Sequence, residues 1–137
     1  MSESAETGPS SRPKHLLDIN VLLAAMWVNH PQHAKAFAWL DGKSVVLCPL
    51  SELGFLRIST NRKAIGARME QARRLLEAFA KDRKAERITD DLPALGSKAT
   101  SSEEVTDLYL ADLAAKHGAR FGSFDQTIRH SAVDLIR

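Results

Sequence analysis

The sequence predicts an α/β domain built on a parallel sheet with helices on both faces. Segments with strand character alternate with helical segments along the chain, which is the pattern of repeated strand and helix units. The length of 137 residues suits a single domain with one well-buried core. Carboxylates stand where several of the apolar runs end, and in a parallel sheet such positions lie side by side at one edge.

The first half of the chain predicts two strands and three helices. The strands are the apolar runs at residues 16–17 and 45–48, and the helices cover residues 19–27, 30–41 and 50–59. Gly42 can end the second helix, because glycine takes the left-handed conformation that often follows a helix. Pro49 can open the third helix, because a first-turn position needs no backbone donor. Glu52 then lies in the first turn of that helix.

The second half begins with the clearest helix of the chain, over residues 66–81. Its apolar stripe comprises Met69, Ala72, Leu76, Phe79 and Ala80. The elements that follow are an edge strand at 87–88, a polar loop over 89–102, a helix up to His117, a strand at 119–121, a short helix from Gln126 and a final apolar segment at 132–136. Thr100, Ser101 or Ser102 is predicted to cap the helix that ends at His117, and Gly118 to stop it.

Composition excludes several classes of protein. A hydrophobic share of 44% with 26% charged residues is ordinary for a soluble protein. No apolar stretch reaches the roughly 18 residues of a membrane span. Cys48 stands alone, so an internal disulfide is excluded, and its apolar surroundings predict a buried structural thiol. Residues 1–13 are polar and lack the apolar core of a signal peptide, which predicts a disordered leader, a domain over residues 14–137 and a cytoplasmic location.

The charge balance becomes informative when acids that could gather in a site are counted separately from those on the remaining surface. Nineteen Lys and Arg against 17 Asp and Glu give a net charge of +2. If four acids gather in one pocket, the remaining surface carries 19 − 13 = +6. A basic surface around an acidic hole suits a polyanionic substrate that is held by phosphate contacts. The alternative stays open, since a pI of about 8.9 is common among soluble proteins.

Four dispersed carboxylates, Asp18, Glu52, Asp107 and Asp125, are the candidate functional residues. Their placement at strand ends and helix starts indicates a divalent-metal site, because such positions converge on one crevice of a parallel sheet. Each also has a structural alternative: Asp18 and Asp125 can cap the helices that follow them, and Asp107 can complement a helix dipole. Asp107 is the hardest to explain in that way. It shares a helical face with apolar residues, and a carboxylate aimed at the core needs a cation or donors.

Four motifs of this chain, in order, resemble the signatures of the PIN-domain ribonucleases. They are Leu16-Leu17-Asp18-Ile19-Asn20-Val21-Leu22-Leu23, Ser51-Glu52 ahead of residues 53–57, Val105-Thr106-Asp107-Leu108-Tyr109-Leu110-Ala111 and Gly122-Ser123-Phe124-Asp125. Each motif is weak alone, whereas the ordered set, spread between His15 and Ile136, is specific. Within that superfamily the chain is most similar to VapC-type toxins of bacterial toxin–antitoxin pairs. The resemblance implies a PIN-like three-layer α/β/α domain with a central, mainly parallel sheet of about four or five strands.

The resemblance also implies a function. In that family the acids bind Mg²⁺ or Mn²⁺ and RNA is cleaved, often transfer or ribosomal RNA, so the four acids are expected to be the metal ligands and catalytic residues of an endoribonuclease. Carboxylate oxygens suit such hard cations, which acidify a bound water for attack on the phosphodiester. Asn20 and Ser123, beside the first and last acids, are expected to orient ligands or water. The expected partners are RNA, a cognate antitoxin and a second copy of the chain in a homodimer, with no membrane.

The chain departs from the family pattern at two positions. Ser123 stands where Thr is common in the last motif, and the hydroxyl is retained. Arg62 stands where a proline is frequent in relatives, and it either extends a basic rim that faces RNA or continues a solvated turn. Arg57, on the same helix as Glu52, is a candidate contact for RNA phosphate or for the antitoxin, with a structural ion pair as the alternative.

Two other functions stay open at this point. A phosphatase of the haloacid dehalogenase kind also begins with a strand-end Asp and uses Mg²⁺. That family typically needs a second Asp two residues later, where this chain has Asn20. The other alternative is a non-catalytic module that binds RNA or the antitoxin through a degenerate site, and the presence of all four acids argues against it.

Overall fold

A computed structural model describes residues 12–137. Its sheet has five strands, all parallel: β1 (Lys14–Leu17), β2 (Ser44–Leu47), β3 (Glu86–Arg87), β4 (Arg120–Ser123) and β5 (Val133–Leu135). The strand order is β3-β2-β1-β4-β5. Parallel pairing requires a long connection between neighbouring strands, which here is mostly helical. The predicted leader over residues 1–13 lies, except for its last two residues, outside the described residues.

Five helices connect the strands. They are α1 (Ile19–Met26), α2 (His33–Trp39), α3 (Pro49–Thr60), α4 (Met69–Asp82) and α5 (Val105–Lys116), with a 3₁₀ turn at Ala94–Gly96. Gly42 follows α2 with a φ of 77°, as predicted for a left-handed stop. The second helix begins at His33 rather than at residue 30, because Pro31 disfavours helical backbone in the residue before it. Among residues 12–137, no helix is long and apolar enough to cross a membrane.

The core lies on both faces of the sheet. Successive side chains of a strand point to opposite faces, so Leu17 packs with α1 to α4 while Leu16 packs with α5. Both leucines are fully buried. Four helices therefore cover one face and α5 covers the other, which confirms the predicted three-layer α/β/α class. The sheet was predicted to be mainly parallel with about four or five strands, and it has five parallel strands within residues 12–137.

Two further local predictions are wrong. Residues 126–127 form a turn rather than a short helix, because Asp125 Oδ1 accepts hydrogen bonds from Thr127 N at 2.8 Å and Thr127 Oγ1 at 2.6 Å. The cap of α5 is Glu104, and no residue of 100–102 fills that role. Thr100 instead donates to Glu104 Oε1 from its backbone nitrogen at 2.6 Å and from its hydroxyl at 3.1 Å.

The strand order creates one crevice at the carboxyl ends of β1 and β4. From β1 the chain builds outward through β2 to β3, then returns to the other side of β1 to build β4 and β5. Connections that leave neighbouring strands in opposite directions open a gap above the sheet, where ligands bind in such folds. Asp18 follows β1 directly, and Asp125 lies two residues beyond β4. The topology therefore brings together two of the predicted acids that are distant in sequence.

Candidate metal centre

Asp18 is the buried acid at the centre of this crevice. It is 5% exposed, and its backbone N–H continues the ladder between β1 and β4 by donating to Gly122 O at 2.9 Å. Its carboxylate also caps α1, since Oδ1 accepts from Asn20 N at 3.2 Å. Burial raises the pKa of Asp18, and the charge of Asp125 adds to that rise, while hydrogen bonds from Ser123 and Asn20 oppose it. Asp18 therefore caps α1, as one interpretation predicted, and its role as a metal ligand stays a prediction.

Ser123 connects the first and last acids. Its hydroxyl is fully buried, donates to Asp18 Oδ2 at 2.7 Å and accepts from the backbone nitrogen of Asp125 at 3.0 Å. Asp125 is exposed at the crevice rim, and its two hydrogen bonds from Thr127 hold the pKa of its carboxyl below the usual value. One hydroxyl thus fixes one acid by its side chain and the other by its backbone. The role of Ser123 in orienting metal ligands or water stays a prediction.

Asp107 reaches the same crevice from the other face of the sheet. It lies in the first turn of α5 and is partly buried, and no hydrogen bond or ion pair joins its carboxylate to any residue of 12–137. Burial is the main cause that raises its pKa to about 7, and the charges of Asp18 and Asp125 raise it further. Three of the four predicted acids are therefore close enough to repel one another.

Glu52 differs from the other three acids, which we call the acid cluster (Asp18, Asp107 and Asp125), in having a cationic partner. It occupies the first turn of α3, and its side chain is 20% exposed. Its Oε2 forms an ion pair with Nη1 of Arg87, the last residue of β3. The structure therefore brings three acids together and holds the fourth on an arginine.

The residues present fit a hard divalent cation. The donor set consists of carboxylates with a hydroxyl behind them, which is the ligand chemistry that Mg²⁺ and Mn²⁺ prefer. Asp107 has no partner for its charge within residues 12–137, and its raised pKa reports the cost of ionising it there without a cation. As the side chains stand, no three Asp, Glu, His or Cys groups of the described chain enclose an ion position. Glu52 is paired with Arg87 in this arrangement.

The other predicted site residues lie at the surface. The Asn20 side chain is exposed, and its backbone nitrogen is what contacts Asp18. Arg57 is exposed on α3 and lines a pocket of about 390 Å³ with Ile19, Leu50, Leu53, Gly54 and Thr106. Ile19 and Thr106 are the chain neighbours of Asp18 and Asp107, so the pocket borders the acid cluster. Arg62 is exposed in the turn after α3. Neither arginine has an ion pair within the described part of the chain.

Three residues with clear roles were not predicted. Thr127 fixes Asp125, Arg87 engages Glu52, and Asp90 caps α3 by accepting from Leu50 N at 3.0 Å. Thr127 carried a local signal, because an Asp often accepts from the residue two positions later in a turn. Arg87 and Asp90 carried none, because their roles depend on β3 lying beside β2.

The chain matches the PIN domain family over residues 15–133. It is also similar to two ribonucleases of Mycobacterium tuberculosis. Identity is 34% to ribonuclease VapC38, over 80% of this chain and 84% of that protein, and 36% to ribonuclease VapC44, over 86% and 90%. The chain belongs to the PIN-domain family, in its VapC group. A PIN domain at this level of similarity removes the haloacid dehalogenase alternative.

A solved structure supports the fold of this PIN domain independently. The chain resembles one from the crystal structure of VapBC2 from Rickettsia felis bound to a DNA fragment from its promoter. The TM-score is 0.54, and the match covers 83% of this chain and 89% of that chain. Sequence identity is only 15%, so this likeness concerns the architecture alone.

Proposed function

We propose that this PIN domain is a metal-dependent endoribonuclease and the toxin of a toxin–antitoxin pair. It hydrolyses RNA phosphodiester bonds, with transfer or ribosomal RNA as the substrate class, and uses Mg²⁺ or Mn²⁺. The observation that carries the proposal is that Ser123 joins Asp18 and Asp125, and that both lie near enough to influence a partly buried Asp107, which has no partner among residues 12–137. The names of its VapC relatives, which are ribonucleases, point the same way.

Each residue of the site has a distinct task in this reaction. A bound divalent cation supplies a Lewis acid that acidifies water and offsets charge that develops on the phosphodiester. Ser123 keeps Asp18 in one orientation, and Thr127 does the same for Asp125, so both carboxylates are held before the cation binds. Asp107 has to release its proton to act as a ligand, and the positive charge of the cation favours that release.

The surface around the site suits a polyanion. Arg57 and Arg62 are exposed and unpaired among the described residues, and Arg57 lines the pocket that borders the acid cluster. Guanidinium groups bind phosphate through well-oriented donors, and the RNA backbone offers one phosphate per nucleotide. We assign these two arginines to contacts with RNA or with the antitoxin.

The first test is cleavage by the purified chain and its Asp18→Asn variant. Wild-type protein should cut RNA with Mg²⁺ or Mn²⁺ and should stop in EDTA. Asp18→Asn should reduce the rate by about 100-fold or more, because the charge of one ligand is lost. The fold should persist, since an asparagine oxygen can still cap α1. Cleavage is followed on labelled RNAs of several classes, and folding by thermal unfolding.

The matched control for this test is Asp41→Asn. Asp41 is exposed in the turn between α2 and β2, at the opposite end of the sheet from the acid cluster. The Asp41→Asn variant should therefore cleave RNA at the wild-type rate. Equal cleavage by Asp18→Asn and wild type would refute the assigned site. No chelator-sensitive cleavage of any RNA would favour the non-catalytic module instead.

The toxin role has its own test in living cells. Induction of the chain alone should arrest growth, and a small co-expressed antitoxin should relieve the arrest by covering the site. Asp18→Asn should be harmless at the same protein level. Growth arrest by that variant would separate the toxicity from RNA cleavage. Mapping new 5′ ends in cellular RNA after induction would identify the substrate.

A further inference from the structure

The contact between Glu52 and Arg87 has a consequence for metal binding. Arg87 ends β3 and stands in register with Leu47, the last residue of β2, while Glu52 lies in the first turn of the helix that follows β2. Arg87 Nη1 donates to Glu52 Oε2, and the arginine side chain is 60% exposed. The neighbouring strand therefore delivers a cationic group to the one predicted ligand that stays outside the acid cluster.

The backbone of this segment is anchored without the arginine side chain. Ile88 N donates to Leu47 O at 2.9 Å, and the Ile88 side chain is buried. Asp90 Oδ2 accepts from Leu50 N at 3.0 Å, which ties the segment to the start of α3. Removing the guanidinium should therefore leave β3 and α3 in place and change only the freedom of Glu52.

We propose that Arg87 is a positioning residue that holds Glu52 outside the acid cluster and that a divalent cation must displace it to recruit Glu52. The inference rests on the proposed function, because it concerns the same site. Glu52 Oε2 accepts from Arg87 Nη1, and the Glu52 side chain is only 20% exposed. The cluster repels a fourth carboxylate, so Glu52 moves inward only when a cation offsets that repulsion. Metal binding and the ion pair thus compete for one carboxylate.

The test measures Mn²⁺ affinity directly, by electron paramagnetic resonance of free Mn²⁺ or by calorimetry, at neutral pH. Arg87→Gln should bind Mn²⁺ about 2- to 5-fold more tightly than wild type, the range expected when a partly exposed ion pair no longer has to be broken. Arg87→Lys, which keeps the charge, should stay near the wild-type affinity. Thermal unfolding should show that both variants fold.

The matched control is Arg74→Gln. Arg74 forms an exposed ion pair with Glu70 on α4 at 3.0 Å, so this variant loses one positive charge and one ion pair away from the site. It should bind Mn²⁺ as the wild type does. A gain as large as that of Arg87→Gln would show a general charge effect and would overturn the inference.

A double-mutant cycle separates action through Glu52 from action on the cluster. In the Glu52→Gln background, Arg87→Gln should add nothing to Mn²⁺ affinity. An equal gain in Mn²⁺ affinity in both backgrounds overturns the inference about Arg87. So does an Arg87→Gln variant whose affinity is equal to or lower than that of the wild type. Neither result bears on the proposed metal-dependent function. Absence of Mn²⁺ binding in wild type and in every variant overturns the proposed metal-dependent function together with this inference.

Discussion

Two acids of one crevice have opposite protonation behaviour because their neighbours differ. Asp107 is partly buried without a donor, so its pKa rises to about 7, whereas donors from Thr127 lower the pKa of the exposed Asp125. A raised carboxyl pKa means that folding favours the protonated form. The contribution of Asp107 to the free energy of unfolding is therefore fully present below its unfolded pKa of 3.8. It is lost as the pH rises through the folded-state pKa of about 7.

This difference predicts a pH-dependent effect of Asp107→Asn on stability without metal. In EDTA at pH 8, the variant should have a free energy of unfolding about 1 to 2 kcal/mol above that of wild type, a value reduced for the solvent that reaches the carboxylate. The gap should shrink as pH falls toward 4, because wild-type Asp107 becomes protonated. Urea unfolding at several pH values measures this difference in the free energy of unfolding. Asp41→Asn should show no such trend, and a destabilised Asp107→Asn at pH 8 would contradict the prediction.

At the scale of elements, β4 carries the site because it can approach both β1 and α2 closely. A Cβ built on Gly122 would lie 2.7 Å from Cη2 and 3.1 Å from Cζ3 of Trp39, and 3.3 Å from Cδ2 of Leu17. Only glycine leaves room for the indole over the strand. The carbonyl of Gly122 accepts from Asp18 N, and the next residue, Ser123, holds the Asp18 carboxylate.

We therefore expect Gly122→Ala to disturb packing and the site together. The added methyl group must displace a ring, and such overpacking costs about 1 to 3 kcal/mol of the free energy of unfolding. Denaturant unfolding gives the loss, and the cleavage assay reports the effect on Asp18. Gly96→Ala is the control, because no atom lies within 4 Å of its added Cβ, and it should change stability by no more than about 0.5 kcal/mol. Equal stability of the two variants would exclude the predicted clash.

At the scale of the whole molecule, family resemblance predicts a homodimer formed through the early helices. Two large apolar side chains of that region are exposed: Val28, after α1, by 75% and Phe37, on α2, by 56%. Contact with a second copy would remove this apolar surface from water. The chain should therefore have a mass in solution of 2 × 15.1 kDa = 30.2 kDa.

Light scattering coupled to size exclusion tests the dimer. Val28→Asp should shift the mass toward that of the monomer, because a charge would be buried in the interface. Leu95→Asp is the control: Leu95 is fully exposed in the 3₁₀ turn, far along the chain from the early helices, and the dimer should persist. A monomeric wild type would refute the dimer, and a dimeric Val28→Asp would move the interface elsewhere.

Local patterns in the sequence were sufficient for the fold class and for the positions of most elements. Hydrophobic periodicity and the residues Gly42 and Pro49 act over a few neighbours, so they predicted where helices begin and end. Two of the errors also have a local cause. Thr127 donates to Asp125 where a short helix was predicted, and Thr100 donates to Glu104 where a cap of α5 was predicted. The site residues came from the ordered motifs, which carry the family resemblance.

What the sequence by itself determined was the alternation of strands and helices, the acids at their ends and the order of the motifs. Only the tertiary structure decided which of those acids meet. Asp18 and Asp125 meet because β4 lies beside β1, and Asp107 joins them because α5 covers that face. Glu52 pairs with Arg87 because β3 lies beside β2. Strand order joins residues far apart in the chain, and no short-range preference of either residue encodes it.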